Sequence, residues 1–350
     1  MNAVEFLTRL VATESVSGEE AEAAELSVRR MAQLGLEARV DEAGNAVGVR
    51  RGPRAADGAE HTVVLLGHID TVPGRIPVRV EDGKLFGRGA VDAKGPFAAF
   101  IEAVARTEPQ AGTSFVVVGA VEEESATSKG ARHVAPLYRP DACLIGEPSG
   151  WDAVTVGYKG RLLVDYRAEQ PGGHSAGPEG AVAERATRFW SQVSDRCARF
   201  NAGKERLFER VLPSLRSIHT DSDGLTDRVA ATLGFRLPPD FDVPAFEAEL
   251  EGLAPGASVR VFGREPAWTS PRTTPLARSL ARAIREHGAR PRFLHKTGTS
   301  DMNVLGPAWG CPIAAYGPGD SLLDHTPNEH LDLFEFERSI DVLAGALAAG

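Results

Sequence analysis

The spacing of hydrophobic residues changes along the chain, and the first part alternates between helical and strand patterns. Apolar residues at helical spacing predict helices over about residues 4–10 and 19–34, with Ser17 as the N-cap of the second helix and Gly35 as its end. The segment HTVVLLGHID contains a continuous apolar run, which predicts a strand buried on both faces. Further strands at 114–120 and 141–145 alternate with helices at 96–106 and 128–135. This alternation predicts a doubly wound α/β sheet.

From about residue 160 the pattern changes to half-exposed strands with helices on one side. Segments at 161–169 and 228–237 alternate polar and apolar residues. One helical pattern lies between these two segments, and another lies between the second segment and a further strand before residue 264. Such segments predict a small α+β layer. The α/β pattern resumes after Ala267. The sequence therefore predicts a catalytic domain formed by residues 1–159 and 268–350, interrupted by an inserted domain at 160–267.

Composition and charge narrow the classes of function. A net charge of −9 and a pI near 5.6 argue against nucleic acid as a main partner, because phosphate binding requires a basic face. The N-terminal segment lacks the basic start and apolar run of a signal peptide, and no stretch approaches the roughly 18 apolar residues of a membrane span. We therefore expect a cytoplasmic protein without membrane contact. Cys143, Cys197 and Cys311 show no close pairing and are interpreted as small buried residues.

Side chains of the types that bind divalent metals follow the predicted strands. The set comprises His68, Asp92, Glu123, Glu124, Glu147 and the later His325. Open α/β sheets bind ligands at the carboxyl ends of their strands, so we expect these side chains to meet at one edge. Each also has an ordinary interpretation, as a strand-end histidine, a helix cap or a solvated acidic loop. Together they indicate a metal site, and mixed histidine and carboxylate ligation suits zinc, with cobalt or manganese as substitutes.

Two local spacings suggest finer roles. His68 and Asp70 lie two residues apart at a strand end, so the carboxylate could accept the second ring proton of a metal-bound imidazole. Glu122, Glu123 and Glu124 would repel one another at a buried strand end, and a dication would offset that repulsion. If one of them binds metal while its neighbour faces an attacking water, they become a ligand and a general base.

Five segments carry a resemblance to a known family. GHIDTVP, GRGAVDAKG, VEEES, GEPSG and DHTPNEH, in this order and spacing, resemble the co-catalytic zinc family of acetylornithine deacetylase, succinyl-diaminopimelate desuccinylase and carboxypeptidase G. The resemblance implies a zinc-peptidase-like mixed sheet with helices on both faces. It also implies an inserted ferredoxin-like α+β lid through which subunits pair as homodimers. The implied activity is metal-assisted hydrolysis of an amide bond.

The resemblance also implies a ligand set. His68 and Glu147 correspond to the ligands of one zinc, Glu124 and His325 to those of the other, and Asp92 to the carboxylate that bridges both. The family has a cis peptide bond after the bridging aspartate. Two Zn²⁺ ions per subunit are therefore expected, with Co²⁺ as a substitute.

Further residues correspond to the family's reacting and substrate-binding groups. Asp70 corresponds to the residue that orients the first histidine, and Glu123 to the general base. His174 resembles the lid histidine that stabilises the tetrahedral oxyanion across the dimer interface, and Arg236 resembles the arginine that grips a substrate carboxylate. The loop lining the substrate pocket is represented by Gly298, Thr299 and Ser300.

Within the family, the segments GRGAVDAKGPFAAF, GEPSGWDAVTVGYKG and KTGTSDMNVLGPAWG look most like the LysK branch. This branch releases lysine, or in some organisms ornithine, from the C-terminal γ-glutamyl group of LysW, a small acidic amino-group carrier protein of lysine and arginine biosynthesis. An acidic carrier needs a basic rim near the pocket, for which Arg132, Lys159 and Arg161 are the candidates.

Three alternatives stay open at this point. The nearest is a deacetylase of N-acetyl-lysine, N-acetylornithine or a related small molecule. A second is a serine hydrolase, because GHSAG matches the nucleophile elbow with Ser175 as nucleophile, although the preceding RLLVDYRAE alternates like an exposed edge strand. The third is a non-catalytic metal-binding or amino-acid-binding protein, against which the presence of Glu123 beside a full ligand set argues.

Overall fold

The chain folds into two compact units in the computed structural model, which describes residues 1–174 and 180–349. The first unit comprises Met1–Gly157, Thr269–His295 and Ser300–Gly350, and the second comprises Tyr158–Trp268 and Lys296–Thr299. The sequence-based division had assigned the last of these segments to the catalytic domain. It joins the second unit because the amide of Lys159 bonds to the carbonyl of Lys296 and Arg236 bonds to Thr299.

Strands and helices alternate through the first unit and bracket the second. In chain order the strands are β1 (Glu37–Val40), β2 (Ala46–Arg51), β3 (His61–His68), β4 (Arg79–Glu81), β5 (Lys84–Phe86), β6 (Thr113–Ala120), β7 (Ala142–Gly146), β8 (Ala153–Tyr158), β9 (Gly160–Pro171), β10 (Leu212–Ser222), β11 (Thr226–Leu237), β12 (Ser258–Glu265), β13 (Trp268–Thr269), β14 (Arg292–Lys296), β15 (Ile313–Ala315) and β16 (His330–Asp332). The helices are α1 (Ala3–Ala12), α2 (Ala21–Gln33), α3 (Lys94–Arg106), α4 (Lys129–Val134), α5 (Val182–Asn201), α6 (Val243–Gly252), α7 (Pro275–Glu286), α8 (Met302–Trp309) and α9 (Leu333–Ala348).

The large sheet has the order β1-β2-β6-β3-β7-β15-β8-β13, with β14 also paired to β8. Its centre is parallel, since β3 pairs in parallel with β6 and β7, and β7 with β15, whereas β2 and β8 run antiparallel to their neighbours. Helix α3 contacts β3, β6 and β7 together with α1 and α9, and α4 and α8 contact β6 and β15. The predicted mixed sheet with covered faces is confirmed, and the carboxyl ends of its parallel strands meet at one edge.

The second unit is an antiparallel sheet with helices on one face. Strands β10, β11, β9 and β12 lie in that order, and helix α5 contacts the first three. The chain order β-α-β-β-α-β is that of a ferredoxin-like fold. Alternate residues of β9, including Leu162, Val164 and Tyr166, face a core that contains Phe189 of α5 and Phe246 of α6.

Several elements differ from the expectation. Helix α2 begins at Ala21 without a side-chain cap, because the Ser17 hydroxyl donates instead to Asp70, so the predicted N-cap is wrong. Strand β10 was not predicted, because most of its residues are exposed and its polar positions do not alternate with a buried set. Among the residues described, no helix is long and apolar enough to cross a membrane.

Candidate active site

Strand ends of the first unit bring the predicted ligands to one edge of the sheet. His68 is the last residue of β3, Glu123 and Glu124 follow β6, and Glu147 follows β7 directly. His68 is buried, and its Nε2 lies 4.0 Å from an oxygen of Glu147. Parallel pairing of β3 with both β6 and β7 explains this convergence, because parallel neighbours end on the same side.

Asp92 connects the two histidines. It lies in the turn before α3, and its peptide bond to Ala93 is cis, as the resemblance implies. One carboxylate oxygen of Asp92 is 3.1 Å from Nε2 of His68, and the other is 3.0 Å from Nε2 of His325. The same His325 nitrogen lies 2.8 Å from an oxygen of Glu124. Potential ligand atoms of His68, Asp92 and Glu124 all lie within 4.8 Å of one another.

Asp70 is fully buried and binds the acidic turn more closely than the histidine ring. Its carboxylate accepts hydrogen bonds from the amide of Glu123 at 3.1 Å, the amide of Glu124 at 3.0 Å and the hydroxyl of Ser17 at 2.7 Å. Nδ1 of His68 lies 3.0 Å from the backbone carbonyl of Asp70 and 3.4 Å from its carboxylate. A proton on Nδ1 satisfies the carbonyl and leaves Nε2 facing Asp92 as a potential ligand.

The electrostatics of the cluster suit a cation. Burial raises the pKa of Glu123 well above its ordinary value, and the carboxylates of Glu147, Asp301 and Glu124 raise it further. Hydrogen bonds that its ring donates to the carboxylates of Asp92 and Glu124 raise the pKa of His325 to about 10. Burial opposes protonation of His68, yet its contacts with Asp70 and Asp92 still raise its pKa well above normal.

These shifts test whether the residues fit divalent metal ions. In the metal-free site these shifts favour the protonated forms of both imidazoles and of Glu123, which offsets the crowded negative charge. Divalent cations would replace these protons and relieve the same repulsion. Carboxylate oxygens and two imidazole nitrogens, grouped around Asp92 whose two oxygens face different histidines, are a donor set that zinc accepts. The residues therefore fit the metal that the sequence predicts.

Sequence reasoning missed the part that three residues play around this cluster, of which Asp301 and Glu329 are buried and Ser17 is partly buried. Ser17 was interpreted as a helix cap. Asp301 belongs to the GTSD stretch that resembles a pocket-lining loop, and its charge also raises the pKa of Glu123. Glu329 is completely buried and accepts hydrogen bonds from the amides of Val91 and Asp92. Its only sequence signal was its place in the DHTPNEH segment.

The predicted substrate-binding residues lie mainly in the second unit. Arg236, near the end of β11, donates to the Thr299 hydroxyl at 2.6 Å, and both residues belong to this unit together with Gly298. His174 is exposed in the segment after β9. Ser300 belongs to the first unit and is buried, where its amide donates to Asn303. That these residues bind substrate beside the acidic cluster stays a prediction.

Two other expectations concern residues of the second unit. The basic rim is wrong for Lys159, which is fully buried with its ammonium donating to the carbonyl of Arg210. Arg161 bonds to the carbonyl of Gly263 and lies 3.6 Å from Glu265, so it is already engaged. Ser175, the nucleophile of the serine-hydrolase alternative, lies outside the described residues.

Comparison with known proteins identifies the family. The family model described as peptidase family M20/M25/M40 matches residues 64–349. This chain belongs to peptidase family M20/M25/M40. The family is that of hydrolases acting on amide bonds, which agrees with the class of enzyme predicted from the motifs.

Relatives of the M20 chain extend over nearly its whole length. It is 48% identical over 354 residues to a LysW-lysine hydrolase of Deinococcus radiodurans, covering 98% of this chain and 95% of the relative. It is 40% identical over 347 residues to a putative LysW-lysine/LysW-ornithine hydrolase of Thermococcus kodakarensis, covering 98% and 91%.

Solved structures match the fold of this M20 chain at low sequence identity. An M20 metallo-carboxypeptidase of Sulfolobus solfataricus aligns with a TM-score of 0.79 at 16% identity, covering 99% of both chains. A Bacillus subtilis M20 peptidase described as binding a dinuclear metal aligns with a TM-score of 0.68 at 13% identity, covering 99% of this chain and 97% of that one. These likenesses concern the fold.

Proposed function

We propose that this M20 chain is a metal-dependent amide hydrolase that releases lysine, and in a second role ornithine, from the C-terminal γ-glutamyl group of LysW. The observation that carries the proposal is the 48% identity, over 98% of the chain, to a LysW-lysine hydrolase. The convergence of imidazoles and carboxylates at the sheet edge supplies the chemistry that such a reaction requires.

Five residues would hold two metal ions, Zn²⁺ or in its place Co²⁺. They are His68, Asp92, Glu124, Glu147 and His325. The Asp92 carboxylate supports a site for two ions, because each of its oxygens faces a different histidine. When bound, two such ions polarise the amide carbonyl and lower the pKa of a water molecule.

Glu123 is the proposed general base. Its carboxylate oxygen takes the proton of the attacking water and later delivers it to the nitrogen of the leaving amine. Burial and neighbouring carboxylates raise the pKa of Glu123 in the metal-free site, and a raised pKa makes a carboxylate a stronger base. Asp70 holds the amides of Glu123 and Glu124, which fixes the turn from which the base projects.

Substrate contacts are proposed for the second unit and the loop that joins it. Arg236 would bind a carboxylate of the substrate, with Gly298, Thr299 and Ser300 lining the pocket, and His174 would donate to the oxyanion. The hydrogen bond from Arg236 to Thr299 supports a shared role, because it orients the guanidinium. We also propose a cytoplasmic homodimer paired through the second unit, in which His174 acts in its partner's site.

The main competing function is a deacetylase of N-acetyl-lysine or N-acetylornithine. The same metal site and the same base would cleave an acetamide, so the catalytic residues do not discriminate between the two substrates. The relatives favour the carrier, because the two described above are named for LysW-bound amino acids. The burial of Lys159 means that any basic rim for an acidic carrier must use other residues.

Comparison of turnover on three substrates tests the proposal. We expect kcat/KM for LysW-γ-lysine to exceed that for free N-acetyl-lysine by about 100-fold or more, with LysW-γ-ornithine measured in parallel. Faster hydrolysis of the acetylated compound would overturn the carrier assignment and favour the deacetylase.

A base variant tests the chemistry independently of the substrate. Glu123→Gln should lower kcat by about 10²- to 10⁴-fold on every substrate while retaining the zinc content of the unaltered enzyme. Thr127→Ala, an exposed change in the same loop, serves as the control. Normal turnover by Glu123→Gln would refute the assignment of the base.

A further inference from the structure

Glu329 is a buried carboxylate in the loop just before β16. Its side chain is 1% exposed, and one of its oxygens lies 2.7 Å from Nη1 of Arg88. The other oxygen accepts from two successive amides, Val91 at 3.0 Å and Asp92 at 3.1 Å. A buried carboxylate without partners is strongly destabilising, so these contacts account for its tolerance in the core.

The same segment contacts Asp92 a second time. His325 lies four residues before Glu329. Its Nε2 is 3.0 Å from the carboxylate oxygen of Asp92 that does not face His68. Asp92 is therefore held at its backbone by Glu329 and at its carboxylate by His325. Arg88 adds a link between the two segments, because its guanidinium contacts the Thr326 carbonyl as well as Glu329.

Within the part of the chain that the structure describes, the Glu329 side chain bonds to backbone amides and to Arg88 rather than to the side chains of the proposed ligands. Its effect on the site must therefore act through the position of Asp92. Groups that orient metal ligands in this way change metal affinity by about 10- to 100-fold when they are removed.

We propose that Glu329, supported by Arg88, is a positioning residue that sets the Asp92 turn for metal binding. Glu329 fixes the two amides that precede the Asp92 side chain, and the bridging carboxylate then meets both histidines. Loss of this anchor lets the turn move and weakens retention of both ions. The inference rests on the proposed metal site, and it adds a residue that makes no ligand contact.

Arg30 and Glu102 provide a matched control pair in the same unit. Arg30 donates to one oxygen of Glu102 at 2.6 and 2.8 Å, and both side chains are about as buried as the Arg88–Glu329 pair. This pair joins α2 to α3. Among the residues that the structure describes, neither side chain forms a hydrogen bond or ion pair with a proposed metal ligand. A charge-removing change at Glu102 therefore reproduces the loss of a buried ion pair without disturbing the Asp92 turn.

Zinc retention is measured by competition with a chromophoric chelator for the intact protein, Glu329→Gln and Glu102→Gln, with thermal unfolding of each metal-free protein recorded alongside. We expect Glu329→Gln to lose zinc about 10-fold or more readily, whereas Glu102→Gln stays within about 2-fold of the unaltered protein. The visible spectrum of the Co²⁺-loaded protein should change in Glu329→Gln alone. Equal zinc retention in Glu329→Gln and the unaltered protein would overturn the inference.

A double variant separates the amide contacts from the ion pair. In Glu329→Gln the amide oxygen can still accept from Val91 and Asp92, but its amino group faces the Arg88 guanidinium. Arg88→Met combined with Glu329→Gln removes that conflict and should recover several-fold of the lost retention. If zinc retention did not recover in the double variant, an oxygen that accepts from these two amides would not be enough to hold the turn. That result would overturn the inference. Arg88→Lys provides the same readout if Glu329→Gln does not fold, with reduced retention expected and unchanged retention contradicting it.

The failure of this inference is distinguishable from failure of the proposed function. If the unaltered protein binds no zinc, the proposed metal site is wrong and Glu329 has nothing to position. If the unaltered protein binds zinc and hydrolyses its substrate while Glu329→Gln behaves identically, the function stands and the positioning role is refuted.

Discussion

Replacement of Ser17 by alanine should weaken the enzyme out of proportion to the size of the change. The hydroxyl donates at 2.7 Å to a carboxylate oxygen of Asp70, a residue with no solvent exposure. A hydrogen bond to a charged group contributes about 1.5–3 kcal/mol, and a buried acceptor deprived of it finds no water in exchange. We therefore expect Ser17→Ala to lower the free energy of unfolding of the metal-free protein by about 2 kcal/mol.

The same change should reach the catalytic turn. The oxygen of Asp70 that Ser17 contacts also accepts from the amide of Glu124, and the other oxygen accepts from the amide of Glu123. A carboxylate free to rotate holds both amides less firmly. We expect faster hydrogen exchange at these two amides and about a 10-fold lower kcat, since 1.4 kcal/mol corresponds to tenfold in rate.

Thr127→Ala is a matched control for this prediction. Its hydroxyl donates to Glu122 at the same 2.7 Å, but at an exposed position, where loss of the bond should change stability by less than about 0.5 kcal/mol. Ser17→Thr retains the donor and should restore most of the stability. Urea unfolding, amide exchange and steady-state kinetics are the measurements. If Ser17→Ala matched Thr127→Ala in all three, the argument from burial would be refuted.

Three further predictions concern the metal and the substrate. Removal of metal by a chelator should lower the temperature of unfolding, because free metal at about 1,000 times its Kd stabilises a folded protein by about 4 kcal/mol. An unchanged unfolding temperature would count against the metal site. The pKa of His325 is raised to about 10, so without metal its ring is protonated at neutral pH. Zinc binding should therefore release protons and tighten as pH rises. Calorimetry in buffers of different ionisation enthalpy measures the protons released. Arg236→Met should raise KM for a carboxylate-bearing substrate with little change in kcat, whereas Arg260→Met, which alters an arginine paired with Asp165 on the same sheet, should leave both constants unchanged. A fall in kcat alone would contradict the role assigned to Arg236.

The fold of the first unit was predictable because its central strands are buried on both faces. The apolar run before His68 forms β3 at the centre of the sheet, and the alternation of strands with helices led directly to the doubly wound architecture. Strand β10 could not be predicted in the same way, because it pairs only with β11 among the described strands and exposes most of its side chains. Helix α8 was obscured by Pro307, which lies inside it.

The candidate ligands were predictable for a different reason, which is that topology places them. A histidine or acid that follows a buried parallel strand must lie at the carboxyl edge of the sheet, whatever its wider surroundings. The role of Ser17 could not be predicted from its position in the sequence. A serine before a helical pattern is an ordinary N-cap, and only a contact with Asp70, 53 residues away in sequence, gives it another role. Lys159 was misjudged because a lysine ordinarily lies at the surface, whereas this one lies buried between β8 and β9 with its ammonium donating to the carbonyl of Arg210.

Glu329 and Asp70 illustrate why the contacts that support these turns escape sequence reasoning. Turns that carry metal ligands lack the hydrogen-bonded ladder of a strand, so their amides need other acceptors. Asp70 accepts from the successive amides of Glu123 and Glu124, and Glu329 accepts from those of Val91 and Asp92. In both cases a buried carboxylate holds the backbone of a turn with proposed ligands, from a distant part of the chain. Candidate ligands can therefore be predicted from residue type and strand position, whereas the contacts that hold their turns are found only from the distances.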